Sequence, residues 1–305
     1  MHTNTLPHVA TRLAGKPLAE ALLAQIPAAC RGLPRAPKLV VVRVGDNPAS
    51  AVYVRHKLAA CAKVGIAAEE INLHATESEA NLHSLLHGLA QDDGVDAIIV
   101  QLPLPEGWDT RAALDMVPAE KDCDGLSAAN MALRERGDPR AILPATPVGV
   151  MRLLQHVGQP VAGVTVAVVG NGLVVGNPLR AMLSQAGANV VAIDRDTAHP
   201  QALSRTAQVL VSAAGAPHMI HEHWVHDGAV VVDVGLTRVE HGGAVVLRGD
   251  VDTARVAPVA RYLTPVPGGV GPMTVASLLT NIVECACVRA NLPKPDWAIP
   301  VFDKA

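Results

Sequence analysis

The chain has 305 residues, half of them apolar, which is enough for two domains with real cores. With 25 Lys plus Arg against 28 Asp plus Glu, a net charge of −3 and no basic stripe, it lacks the footprint of a nucleic-acid binder, and a small-molecule partner fits better. Neither a signal peptide nor an apolar run of about 18 residues stands out, so no membrane partner is expected and the chain reads as a soluble, cytoplasmic protein.

The five cysteines, Cys30, Cys61, Cys123, Cys285 and Cys287, are scattered and mostly set in apolar runs, as reduced core thiols are. Cys285 and Cys287 have the spacing of half a metal site, but no second pair completes it.

In chain order, Leu18 to Ile26 is a short amphipathic segment. Lys38 to Val44 (KLVVVRV) is a β-branched run of strand length that ends at Gly45-Asp46-Asn47-Pro48. Asn47 is placed to cap a helix with Pro48 in its first position, and that helix is expected to run to Val64 and stop at Gly65. Tyr53 and Lys57 share one of its faces, four residues apart. The bland reading is a surface lysine lying along a tyrosine; yet the chain holds only two Tyr, three Trp and one Phe, so an aromatic on a polar helix is worth following.

Ile71 to Leu73 reads as a second strand, Ser78 to Leu89 as a helix, and Asp96 to Val100 as a third strand running into Gln101-Leu102-Pro103. Strands separated by helices predict a parallel sheet whose ligands gather at the carboxyl ends, where Gln101 falls. The polar loop Pro118 to Asn130 (PAEKDCDGLSAAN) is either a turn or half a calcium site, and the remaining oxygen ligands of a calcium loop are missing.

A helix is expected to open at Thr146-Pro147. Then Val161 to Gly176 (VAGVTVAVVGNGLVVG) carries a buried strand into Gly170-x-Gly172, one residue longer than the dinucleotide fingerprint, with a helix expected after Pro178. Val190 to Ile193 makes the next strand and ends at Asp194, where an acid would hold a cofactor ribose. Gln208 to Ser212, Ala229 to Val234 and Arg248 to Val251 continue the alternation. His218, His221, His223 and His226 have spacings that permit metal ligation, but no acid or cysteine completes a shell, and a solvated helix is the plainer account; no metal is expected.

Thr264 to Thr274 (TPVPGGVGPMT) packs three prolines and three glycines into eleven residues. Such a run makes a stiff, shaped loop, serving as a hinge or as a ligand loop, and it feeds a helix expected to begin near Met273 and to run from Thr274 to Arg289.

The segments GDNPAS with Tyr53-x-x-x-Lys57, VQLPLP, KDCDG, PATPVGVMRLL, VVGNGLVVGNP, VVVDVGL, GDV and TPVPGGVGPMTVASLL, in one order from about Gly45 to Asn281, resemble the bifunctional methylenetetrahydrofolate dehydrogenase/methenyltetrahydrofolate cyclohydrolase family. The resemblance implies a two-domain α/β fold with a cleft between the domains. The N-terminal catalytic, folate-binding domain would take residues 1–146 plus 274–305, and a Rossmann-like parallel-sheet domain residues 147–273.

The implied activity is oxidation of 5,10-methylenetetrahydrofolate with NAD(P) and hydrolysis of the product to 10-formyltetrahydrofolate, in one-carbon metabolism and purine biosynthesis. The alternatives are a dehydrogenase lacking the hydrolytic step and a non-catalytic folate- or nucleotide-binding protein. A homodimer with tetrahydrofolate derivatives as ligands is the implied assembly.

By that resemblance Lys57, Gln101, Tyr53 and Asp124 are the catalytic positions. Asp124 can accept hydrogen bonds from the pterin N–H donors while Tyr53 presents an aromatic face. Beside a cationic methenyl carbon, like-charge repulsion favours neutral Lys57, ready for proton transfer, and Gln101 orients it without adding charge.

Substrate is expected at Tyr53, Gln101, Leu102, Pro103, Asp124, Pro267, Gly268 and Gly269. Cofactor is expected at Gly170, Asn171, Gly172, Val175, Gly176, Asp194, Arg195, Ala214, Gly215, Gly235, Gly271 and Thr274. The chain departs from the family pattern at Asn171-Gly172, where Arg or Ala and then Ser is usual, and at Asp194, in place of a frequent His. Asp194 favours the free ribose hydroxyl of NAD, Arg195 the phosphate of NADP; NADP is the expectation, with NAD possible from Asp194.

Overall fold

The computed structural model describes residues 9–241 and 244–299. Residues 20–145 with 275–298 form one compact unit, and residues 9–19 with 146–274 belong to another. Of the domain ranges expected from sequence, residues 1–8, 242–243 and 300–305 lie outside the described residues.

The first unit is built on a three-stranded parallel sheet in the order Ala67–Leu73, Lys38–Val44, Ala97–Val100. Leu39 to Val44 is buried without interruption, as a parallel strand covered on both faces requires. The helix Pro48–Lys63 starts as its sequence dictates: Asn47 Oδ1 accepts from Ala49 N at 2.9 Å and Ser50 N at 3.2 Å, and Pro48 needs no partner for its missing N–H. Leu39, Val41, Val54, Cys61 and Ile99 share a core with Leu278, Leu279, Ile282 and Val283 of the last helix. Lys121, fully buried, donates from Nζ to Leu89 O at 2.9 Å and Asp92 O at 2.7 Å, closing the carboxyl end of the helix Glu79–Gln91 with a positive charge.

The second unit carries a six-stranded parallel sheet in the order Thr11–Arg12, Tyr262–Leu263, Val230–Asp233, Val209–Ser212, Thr165–Val169, Asn189–Ile193. The chain leaves Thr165–Val169 toward one edge and then returns to its other side, so the strand order reverses there, which is where an open α/β sheet binds its ligand. Ala167, Val169, Leu210, Val231 and Leu263 form the core with Trp224 and Val225.

Several expectations change. Thr11 pairs with Tyr262, so the N-terminal strand joins the second unit although the sequence reading placed residues 1–146 in the first. A two-residue edge strand has too little pattern to be read. Thr237–His241 and Ala244–Arg248 form an antiparallel ladder that was not anticipated, and Val251 makes only an isolated bridge with Ile220. The histidine segment forms a 3-10 turn, Glu222–Trp224, rather than a solvated helix.

The last helix spans Val270–Arg289 and begins three residues earlier than expected, because Pro272 is tolerated anywhere in a first turn whose N–H groups lack intrahelical partners. At 20 residues it is also long and apolar enough to cross a membrane, contrary to the expectation that no such run exists, but 72% of its most apolar window is buried inside the protein.

Candidate active site

The carboxyl edge of the three-stranded sheet gathers the polar side chains of the first unit. Gln101 follows directly on Ala97–Val100, its N–H bound to Val42 O at 2.8 Å. Its side chain meets the helix Pro48–Lys63: Lys57 Nζ donates to Gln101 Oε1 at 3.1 Å, and Gln101 Nε2 donates to Leu102 O at 2.7 Å. Tyr53, one turn before Lys57, is 42% exposed, so its ring is open to a partner. Leu102 is half-buried and Pro103 exposed.

Asp124 reaches the same edge by a separate route. Ile98 pairs in parallel with Asp122, and Ile98 N donates to Lys121 O at 2.8 Å, so residues 121–124 run alongside Ala97–Val100. Burial pushes the Asp124 carboxyl above its ordinary value; the charge of Lys57 opposes that shift and Asp122 reinforces it. The carboxylate and the ammonium therefore feel one another, which brings Lys57, Gln101 and Asp124 into one neighbourhood.

The residues that fix Asp124 were not read from sequence. Asp122 Oδ1 accepts from Gly125 N at 2.9 Å, and its Oδ2 accepts from Ser127 N at 2.8 Å and Asn130 Nδ2 at 2.9 Å. Asn281 Nδ2 donates to Cys123 O and Leu143 O, each at 2.8 Å. Gly125 has φ +68, and a Cβ there would come within 2.7 Å of the Leu143 and Pro144 backbone. The two aspartates of KDCDG thus divide the work: one is buried and structural, the other is presented.

In the second unit a cavity of about 260 Å³ sits at the reversal of strand order, lined by Val169, Gly170, Asn171, Ile193, Asp194, Arg195, Ala214, Ala216, Met219 and Trp224. Gly170, at φ +106, lies so close to Ala213 O that a Cβ would collide, and a Cβ on Gly176 would run into Gly170 O. Both glycines let backbone approach backbone where the strand turns into the helix Gly176–Gln185, whose N-cap Val175 offers no side-chain acceptor to its free N–H groups. Gly172 is exposed and has nothing within 4 Å of an added Cβ.

Asp194 is held by its own turn, Oδ1 accepting from Thr197 Oγ1 at 2.9 Å and Asp196 N at 3.2 Å. Arg180 Nη2 donates to Ile193 O at 2.9 Å, tying the helix to the strand end that carries Asp194. This donor set fits a dinucleotide: a glycine cradle, a helix start, an acid at the second strand and a basic neighbour.

Pro267, Gly268, Gly269, Gly271 and Thr274 fall within the second unit. Gly268, at φ +105, accepts from Gly15 N at 3.0 Å, and Thr274 Oγ1 donates to Thr146 Oγ1 at 3.1 Å. The freedom of Gly269 is used internally, since a Cβ there would come within 2.7 Å of Pro265 O and 2.8 Å of Thr264 Cβ, whereas one on Gly271 would meet nothing. Gly235 N donates to Asp233 Oδ1 at 2.9 Å. Among the described residues no three His, Cys, Asp or Glu side chains converge as metal ligands. Burial pushes the Cys61 thiol up to about 12, as befits an inert core cysteine.

Comparison with known proteins agrees with this layout. The family model for the tetrahydrofolate dehydrogenase/cyclohydrolase catalytic domain matches residues 13–124, and that for the NAD(P)-binding domain of the same family matches residues 144–290. The bifunctional protein FolD of Synechococcus sp. (strain RCC307) is 46% identical over 290 residues, covering 94% of this chain and 98% of that one. The Campylobacter jejuni FolD structure superposes with a TM-score of 0.86 at 36% identity, over 92% of this chain and 99% of the other. The Trypanosoma brucei FolD structure, complexed with NADP cofactor and inhibitor, gives 0.87 at 32% identity over 93% and 99%. By the matched models and by identity along nearly its whole length, this chain belongs to the tetrahydrofolate dehydrogenase/cyclohydrolase family.

Proposed function

We propose that the chain oxidises 5,10-methylenetetrahydrofolate to 5,10-methenyltetrahydrofolate and hydrolyses that product to 10-formyltetrahydrofolate, in one-carbon metabolism. The observation that carries this reading is the Lys57–Gln101 hydrogen bond at the carboxyl edge of the first sheet, beside a carboxylate whose titration Lys57 influences. The unit of residues 20–145 and 275–298 binds folate, and residues 146–274 bind the dinucleotide.

NADP is the cofactor, and when bound it supplies the hydride acceptor. Asp124 accepts hydrogen bonds from the pterin's N–H edge and Tyr53 packs its ring on the substrate, which fixes the one-carbon bridge relative to Lys57. Loss of hydride leaves a cationic carbon. Water adds there and releases one proton to solvent; Lys57 then takes the remaining hydroxyl proton of the adduct and returns it to the ring nitrogen as the C–N bond opens and the formyl C=O forms, while Gln101 holds the lysine's direction. Gly170, Asn171, Gly172, Val175 and Gly176 cradle the dinucleotide, Asp194 and Arg195 meet its ribose end, and Ala214, Gly215, Gly235, Gly271 and Thr274 complete the contact. Leu102 and Pro103 border the folate.

NAD remains a second reading on one observation, the carboxylate of Asp194 in the cavity wall. The same proposal includes a cytoplasmic location, supported by five cysteines that are all free thiols, as a reducing compartment keeps them, and a homodimer, which rests on the family resemblance alone. The test follows reduced-nicotinamide absorbance with methylenetetrahydrofolate, then decay of added methenyltetrahydrofolate without cofactor. Both signals are expected. Cofactor reduction alone would leave a dehydrogenase, and neither would leave a binding protein.

A further inference from the structure

One wall of the dinucleotide cavity is the segment 214–216, and neither Ala214 nor Ala216 has a side chain that could hold it in shape. Its three successive N–H groups converge instead on one carboxylate. Asp250 Oδ2 accepts from Ala214 N at 2.8 Å and Gly215 N at 3.2 Å, and Oδ1 accepts from Ala216 N at 2.9 Å. Ser212 Oγ adds a fourth donor to Oδ2 at 2.9 Å.

Consecutive N–H groups aimed at one point make an anion-binding nest, and here the anion is part of the chain. Asp250 is fully buried, a position a carboxylate tolerates only with such a set of donors.

A second buried carboxylate holds the first. Asp233 Oδ1 accepts from Asp250 N at 3.0 Å, its Oδ2 accepts from Val251 N at 2.9 Å, and Asp233 N donates to Thr264 Oγ1 at 2.7 Å. Gly235 and Gly249 close over the pair, since a Cβ on Gly235 would strike the Asp250 carboxyl and one on Gly249 the Asp233 carboxyl.

We propose that Asp250, backed by Asp233, is a positioning residue that shapes the 214–216 wall for the dinucleotide without touching it. The inference rests on the dinucleotide reading of this unit. It also means that these three N–H groups are already occupied and do not bind the cofactor's phosphates.

Asp250→Asn keeps the volume but turns an amide NH₂ toward converging donors. The experiment measures NADP affinity by calorimetry, the cofactor-free hydrolysis of methenyltetrahydrofolate, and the melting temperature, in the wild type, Asp250→Asn and Ser212→Ala. Ser212→Ala removes one donor and leaves the charge, and serves if Asp250→Asn fails to fold.

The NADP Kd is expected to rise at least about tenfold in Asp250→Asn and less, in the same direction, in Ser212→Ala, while hydrolysis stays within about twofold of wild type. An unchanged Kd in the folded variants, or hydrolysis falling in parallel with affinity, overturns the proposal. A wild-type protein that binds no NADP overturns the dinucleotide reading itself, and with it this inference, an outcome that no variant result imitates.

Discussion

Lys57 Nζ donates to Gln101 Oε1 at 3.1 Å while the same amide gives its Nε2 hydrogen to Leu102 O at 2.7 Å, so the glutamine cannot flip without losing both bonds. The lysine is thereby offered one neutral acceptor. Lys57→Met is expected to lower methenyltetrahydrofolate hydrolysis by at least about 100-fold with an unchanged circular dichroism spectrum. Gln101→Glu would pair the ammonium with a charge and move the hydrolysis pH profile upward. Wild-type hydrolysis in Lys57→Met would remove the lysine from the mechanism.

Asp124 must be ionised to accept from the pterin edge, and burial holds its carboxyl above the ordinary aspartate value. Affinity for a folate analogue is therefore expected to weaken, as pH falls, at a higher pH than an exposed aspartate would give. Asp124→Ala should bind weakly and lose that titration. A variant with the wild-type affinity profile would dismiss Asp124 as the anchor.

Burial outweighs three N–H bonds at Asp233 and raises its carboxyl from 3.8 to about 7. Between those values the folded chain holds a proton that the unfolded chain has released. That stability is fully present below about 3.8 and is lost as pH rises through about 7, a change on the order of 4 kcal/mol in all. The melting temperature should accordingly fall between about pH 6 and pH 8, and Asp233→Asn should flatten the fall. A wild-type melting temperature that rises over this window would count against the assignment.

Asp194 Oδ1 is engaged by Thr197 and Asp196, but the charge remains in the cavity wall beside Arg195. NADP is expected to give the higher kcat/KM in the wild type. Asp194→Ser, by removing repulsion of the 2′-phosphate, should raise the NADP to NAD ratio further. Initial rates with each cofactor decide this: a ratio that does not move dismisses Asp194 as the discriminator, and a strong wild-type preference for NAD overturns NADP.

The glycines of the 264–274 segment are not equivalent. Gly269→Val would press on Pro265 O and Thr264 Cβ and is expected to lower stability in denaturant titrations, by about 1–3 kcal/mol. Gly271→Ala faces open space in the first turn of a helix and should fold at least as well as wild type. If Gly269→Val instead keeps full stability and loses only turnover, the close approach serves the ligand.

Much of the fold was legible because it rests on local signals. The Asn47-Pro48 start, the buried parallel strands and the Gly170 turn each follow from residues adjacent in sequence. Lys57 and Gln101, 44 residues apart, are brought together by a helix face and a strand end that both have clear patterns. The structural role of Asp122 was missed because a turn acid looks the same whether its carboxylate is buried on Gly125 N and Ser127 N or solvated. Asn281 was missed because its partners, Cys123 O and Leu143 O, are backbone groups far along the chain. Asp233 and Asp250 read only as members of the expected strands Ala229 to Val234 and Arg248 to Val251; only burial reveals that the segment from Ser212 to Ala216 is folded around one of them. The short edge strand Thr11–Arg12 is held from far along the chain, with Thr11 N donating to Arg261 O and Leu13 N to Leu263 O.

Trp224, 7% exposed, lies in the wall of the dinucleotide cavity, whereas Trp108 and Trp297 belong to the other unit. Because the chain has three Trp in all, one indole out of three borders the cavity proposed for the cofactor, whose reduced form absorbs where indoles emit. Reduced cofactor in the cavity would quench this emission by energy transfer, so the protein carries its own optical gauge of occupancy, readable without a label and without turnover.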